Sequence, residues 1–100
     1  MEDIKGKIYI FPEVLEEIIS YIVNSHNEIS LYSKKAIKCE IKKGKVTINI
    51  MVKVKFGVKI PDLMWELQKS IKERLEELTN FTVREVNIHV QEFEFPENAA

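Results

Sequence analysis

Two histidines, one cysteine and two groups of charged side chains are the residues of this 100-residue sequence whose types invite chemistry. His26 falls where a helical pattern ends, and His89 on the polar side of an alternating run. A metal site needs several ligands converging on one point. Neither histidine has a Cys, an Asp or a second His at ligand spacing, so both read as surface residues and neither metal nor cofactor is expected. Cys39 alternates with Ile37 and Ile41, the pattern of a small buried hydrophobe rather than a reactive thiol. As the sole cysteine it excludes an internal disulfide, which fits a reducing cytoplasm. Gly6, Gly44 and Gly57 stand alone, so no loop is built to cradle phosphate. Glu13, Glu16 and Glu17 follow the wet face of a helix. With no nucleophile, base or metal constellation, no catalytic residues are expected and the chain does not read as an enzyme.

The lysines carry more information. Lys34, Lys35, Lys38, Lys42, Lys43, Lys45, Lys53 and Lys55 gather on two adjacent alternating runs and their approach, while acids gather in the helical patterns and the tail. Two readings stand side by side. Lysines guard a strand edge against aggregation, or they meet an anionic partner such as RNA, a membrane surface or an acidic protein patch. RNA readers of the open-sheet type stack bases on aromatics of the central strands. The outward residues of the longest run are Thr47, Asn49, Met51, Lys53 and Lys55, none of them aromatic, so nucleic acid is the weaker reading.

Positioning these side chains falls to six elements. Gly6 to Phe11 alternates as a first strand, with Tyr9 on its outer face. Pro12 and Glu13 open a helix, because proline tolerates the first helical position and an acid suits the positive end of the dipole. Val14, Leu15, Ile18, Ile19, Ile22 and Val23 give it an apolar face up to about Asn24. Asn27 to Lys35 reads as a polar loop. Ala36 to Lys42 and the run from Lys45 onward form a hairpin about Lys43-Gly44. In the second of these strands Val46, Ile48, Ile50, Val52, Val54 and Phe56 face a core. A turn at Gly57 leads into a second helix at Pro61, striped by Met64, Leu67, Ile71, Leu75 and Leu78 and ended by Asn80 in a left-handed cap. Thr82 to Gln91 is the last strand, with Asn87, His89 and Gln91 outward, and the alternation breaks near Phe93 through a strand end or a bulge.

The expected class is α+β in the order β-α-β-β-α-β. This is a ferredoxin-like split βαβ with a four-stranded sheet and two helices on one face. One domain spans residues 1–100, with an ordered core of about 6–95 between a frayed Met1 to Lys5 and a tail from Pro96 to Ala100. A net charge of −1 demands no polyanionic partner. The start is acidic and polar rather than a signal peptide, and no apolar run is long enough to form a transmembrane segment.

Phe56-Gly57-Val58-Lys59-Ile60-Pro61, the Thr79-Asn80-Phe81 helix exit and Val86-Asn87-Ile88-His89-Val90-Gln91 together resemble the alkaline shock protein family of Gram-positive bacteria. Gly6-Lys7-Ile8 and Pro12-Glu13-Val14 are similar to the family's opening. Phe11 departs from the serine that commonly caps the first helix there, and Asn80 from the usual glycine. The loop after the first helix also lacks the Gly-Val-rich stretch of many members. The resemblance implies a non-enzymatic protein-interaction module linked to cell-envelope homeostasis and to alkaline or general stress. It implies a cytoplasmic location, with some members held at the membrane by an integral protein partner.

The expected contact surface is Tyr9, Asn49, Met51, Lys53, Lys55, Asn87, His89, Gln91 and Phe93, for a protein partner, including a membrane-anchored one, or for a second copy in a homo-oligomer. The alternative is a small nucleic-acid-binding domain using the basic hairpin.

Overall fold

The computed structural model describes residues 4–96, so most of the expected frayed start and tail lies outside the described residues. Helix α1 is Pro12–Asn24, strand β1 Ile29–Leu31, strand β2 Ile37–Lys42, strand β3 Lys45–Lys55, helix α2 Ile60–Leu78 and strand β4 Thr82–Glu94. β3 is the axis. Its side chains alternate without a break between a buried set, Val46, Ile48, Ile50, Val52 and Val54, and a half-exposed set from Thr47 to Lys53. β4 runs parallel to β3 along one edge, and β2 and β1 lie end to end, antiparallel, along the other. The β3–α2–β4 unit is a parallel crossover, and α2 packs on β4. α1 lies beside α2 over β1 and β2. Leu15, Ile19, Ile22 and Val23 of α1 and Leu63, Leu67, Ile71 and Leu75 of α2 join the inward side chains of β3 in one core, so both helices cover the same sheet face.

The class and the helix-covered face match the sequence reading. The element order does not: it is α-β-β-β-α-β, and no ferredoxin-like split is present. A split sheet would seat the first strand between β3 and β4. Here those two strands pair directly over eleven partners from Lys45–Thr82 to Lys55–Glu94, which closes that slot. Residues Gly6 to Phe11 therefore run outside the sheet without a strand partner, and Tyr9 projects into solvent. The fourth strand is β1, inside the stretch read as a loop. Ile29 pairs with Val54 and is buried, and Leu31 pairs with Val52. Three residues are too short for alternation to stand out from a polar background.

Local chemistry explains the joints. Lys43 (φ 52°) and Gly44 (φ 75°) form a two-residue turn in the left-handed region, closing the β2–β3 hairpin as expected. Phe11 precedes α1 without a side-chain cap, and its carbonyl accepts from the Val14 N–H at 2.9 Å. At the other end Ser25 Oγ donates to the Ile22 carbonyl at 2.6 Å, and His26 Nδ1 lies 3.0 Å from the same oxygen. His26 thus serves a helix end, as its position suggested. The left-handed cap expected at Asn80 is absent. Thr79 ends α2 in extended conformation instead, its hydroxyl donating to the Leu75 carbonyl at 2.6 Å and accepting from the Phe81 N–H at 3.2 Å. A side chain that meets both helix and exit strand removes the need for a left-handed residue.

Candidate interaction surface

The uncovered face of the sheet holds most of the residues singled out by alternation. Asn49 stands beside Asn87 and Met51 beside His89 across the β3–β4 ladder. Asn49, Met51, His89 and Gln91 line one groove of about 810 Å³. The groove continues over the β1–β2 edge, past Leu31 and Ile37, to the outer side of α1. One wall is acidic, with Glu13, Glu16 and Glu17, and the other basic, with Lys34, Lys35 and Lys38. Among the described residues these six form no ion pair; the salt bridge present is Lys72 Nζ to Glu76 Oε2 at 2.8 Å. Free charges of opposite sign flanking a groove fix the orientation of whatever lies between them more than they add raw affinity.

Four expected contact residues, Tyr9, Lys53, Lys55 and Phe93, do not line this groove. Tyr9 is off the sheet altogether. Lys53 and Lys55 stay on the uncovered face, but they stand across from Glu92 and Glu94, acids that offset their charge. Phe93 turns to the helix-bearing face. The β3–β4 register slips between Val52 and Lys53, so Gln91 is the extra residue and Phe93 pairs with Val54. A bulge of this kind reverses every side chain beyond it. Phe93 joins Phe56 and Phe95 in an aromatic cluster at the end of the sheet, with ring centroids 5.0 to 6.5 Å apart. Sequence reasoning missed this cluster as a unit. The Phe93-Glu94-Phe95 spacing was its one visible sign, since Phe56 arrives only through strand pairing.

α2 also treats the outer edge of β4 in a way no spacing disclosed. Val83 donates its N–H to Glu76 Oε2 at 2.8 Å, Lys72 Nζ donates to the Val83 carbonyl at 3.3 Å, and Gln68 Nε2 donates to the Val86 carbonyl at 3.0 Å. The Lys72 ammonium and then the Val83 N–H hold the Glu76 carboxyl below its ordinary pKa. Cys39 sits half-buried on β2. Burial, and after it the nearby Glu16 carboxylate, pushes its thiol up to about 11, so it is protonated and unreactive near neutrality. Among the described residues no group of three or more His, Cys, Asp or Glu is arranged to hold a metal ion. No described helix is long and apolar enough to cross a membrane.

A three-row mixed sheet covered by two helices on one face, with a charge-walled groove running from the other face over the β1–β2 edge to α1, defines an α+β domain. Residues 22–95 match the profile of the alkaline shock protein 23 family, described as having a cell envelope-related function, and the chain belongs to that family. It is similar to the uncharacterized protein YqhY of Bacillus subtilis, 26% identical over 110 aligned positions that cover 94% of this chain and 82% of YqhY. It is also similar to the uncharacterized protein Spy1535 of Streptococcus pyogenes serotype M6. That match is 31% identical over 100 positions, covering 86% of this chain and 78% of Spy1535. No solved structure matches the chain.

Proposed function

We propose that this chain is a non-enzymatic interaction module serving cell-envelope homeostasis or the alkaline and general stress response. It acts by docking a protein partner, including a membrane-anchored one, against its uncovered sheet face. The observation that carries this reading is the groove floored by Asn49, Met51, His89 and Gln91, in a chain of a family with a cell envelope-related function. Met51 offers apolar area on its floor, Leu31 and Ile37 add more where it crosses the β1–β2 edge, and its walls offer the two signs of charge. A partner segment with one apolar anchor between an acidic and a basic residue matches that layout. Single-stranded RNA matches it less well, because the aromatics lie elsewhere and Lys53 and Lys55 already face acids.

The test is capture from detergent-solubilised envelope fractions of the native host, with the wild-type chain and a Met51→Glu, His89→Ala variant as parallel baits. Both changes lie on the uncovered face, so the variant keeps its thermal transition. A partner recovered by wild type and lost by the variant supports the reading. Identical recovery by both baits refutes this surface. Anisotropy with short single-stranded RNA is the companion measurement, and salt-sensitive binding there would favour the basic hairpin instead.

A further inference from the structure

The described residues before α1 form an arm that the rest of the fold leaves unpartnered. Ile4 to Phe11 have no strand assignment, and among the described residues no backbone hydrogen bond ties Ile4 to Ile10 to another element. Yet the arm alternates like a strand. Ile8 is 91% exposed, Tyr9 76% and Phe11 67%, while Ile10 packs at the core margin and, with Ile8, lines a shallow cleft beside Leu78 and Phe81 at the exit of α2. The molecule measures 67 × 23 × 21 Å. β4, the longest strand, accounts for roughly 40 Å of that length, so extended flanking residues set the remainder.

The sheet has two outer edges that such an arm could extend. On β2 the two-residue turn makes Lys42–Lys45 a bonded pair, which leaves Ile37, Cys39 and Ile41 with outward main-chain groups. That edge carries Lys38, Lys42 and Lys43 against one acid, Glu40, and its net positive charge repels Lys5 and Lys7 of the arm. On β4 the α2 side chains occupy the edge only as far as Val86. Because the Val86 carbonyl points outward, strand alternation points the main-chain groups of Ile88 and Val90 outward too. Above them lie Glu92 and Glu94, acids that Lys5 and Lys7 would share with Lys53 and Lys55.

One antiparallel register satisfies all of this. Ile10 sits opposite Ile88 and Ile8 opposite Val90 on the helix-bearing face, and Tyr9 sits opposite His89 on the uncovered face. It cannot form within one chain. α1 touches β1, β2 and α2 but, among the described residues, not β4, so α2 stands between Pro12 and the outer edge of β4. Phe11, covalently next to Pro12, cannot reach Asn87 around that helix. We infer that the arm, residues 6–11, adds as an edge strand to β4 of a second copy of this chain.

Trapping distinguishes the two chains. Tyr9 and His89 form a non-bonded antiparallel pair in this register, with Cα atoms about 4.5 Å apart, within disulfide range. Tyr9→Cys and His89→Cys are made in separate chains, each with Cys39→Ala, then mixed and oxidised with diamide. The expected product is a disulfide-linked pair of twice the 11.7 kDa chain. It should form at least about tenfold faster than when Tyr9→Cys meets Glu85→Cys, which lies under α2's reach, and an added Ile8→Pro should abolish that advantage by removing a ladder donor. Equal rates for both mixtures overturn the inference. So does a chain carrying Tyr9→Cys and His89→Cys together that closes internally at high dilution, since that outcome places the arm on its own β4.

Discussion

Ile50 and Met51 are neighbours in β3, yet the fold assigns them opposite jobs, and paired alanine substitutions separate those jobs. Ile50 is fully buried at the centre of the strand, paired with Ile37 on one side and Ile88 on the other. Ile50→Ala removes buried carbons and leaves a cavity that a closely packed sheet–helix core cannot collapse around. That costs about 2–5 kcal/mol, a large share of the roughly 5–15 kcal/mol that holds a domain of this size. At roughly 4–8 °C per kcal/mol, the transition falls by at least about 8 °C. Met51 is only half-buried, on the face no helix covers. Met51→Ala creates no enclosed cavity and costs under about 1 kcal/mol. Urea unfolding followed by far-ultraviolet circular dichroism, with both variants compared at equal slope, reads the two costs directly. Equal destabilisation, or a larger loss for Met51→Ala, would refute the assignment of faces on which the candidate surface rests.

Two further outcomes follow from the titrating groups. With the Cys39 thiol raised to about 11, alkylation by iodoacetamide should be slow at pH 7 and 8 and accelerate only as pH approaches that value. Rapid labelling of the native chain at neutral pH would contradict its half-buried position. The same shift lowers stability as pH rises above 9, because the unfolded thiol then ionises before the folded one. Glu76 behaves in the opposite sense. Its lowered pKa means that its bonds to Lys72 and Val83 stabilise the fold above the ordinary carboxylate range and are lost as pH falls through the folded value. The melting difference between wild type and Glu76→Gln should therefore be largest at neutral pH and shrink in acid. A difference independent of pH would mean the charge plays no part.

The sequence by itself determined the periodic parts of this protein. Unbroken alternation from Val46 to Val54 fixes a strand with one buried face, and the helical spacing of Leu67, Ile71 and Leu75 fixes the face of α2 that covers it, because each signal is summed over many residues; the ends of that stripe are set by packing, which buries Leu63 and leaves Leu78 exposed. Lys43-Gly44 fixes a turn, since few dipeptides enter the left-handed region cheaply. The Asn49, Met51, His89 and Gln91 surface was legible for the same reason: it is the complement of the buried set. Tertiary structure decided what depends on pairing. Gly6 to Phe11 and Ile29 to Leu31 both alternate, and only the occupancy of the β3 edges makes the second a strand and leaves the first outside. One slipped partner at Gln91 carries Phe93 away from His89 and into the cluster with Phe56 and Phe95. Local pattern specifies a strand's two faces; which edge it takes, and where its register slips, is set by the neighbours that occupy that edge.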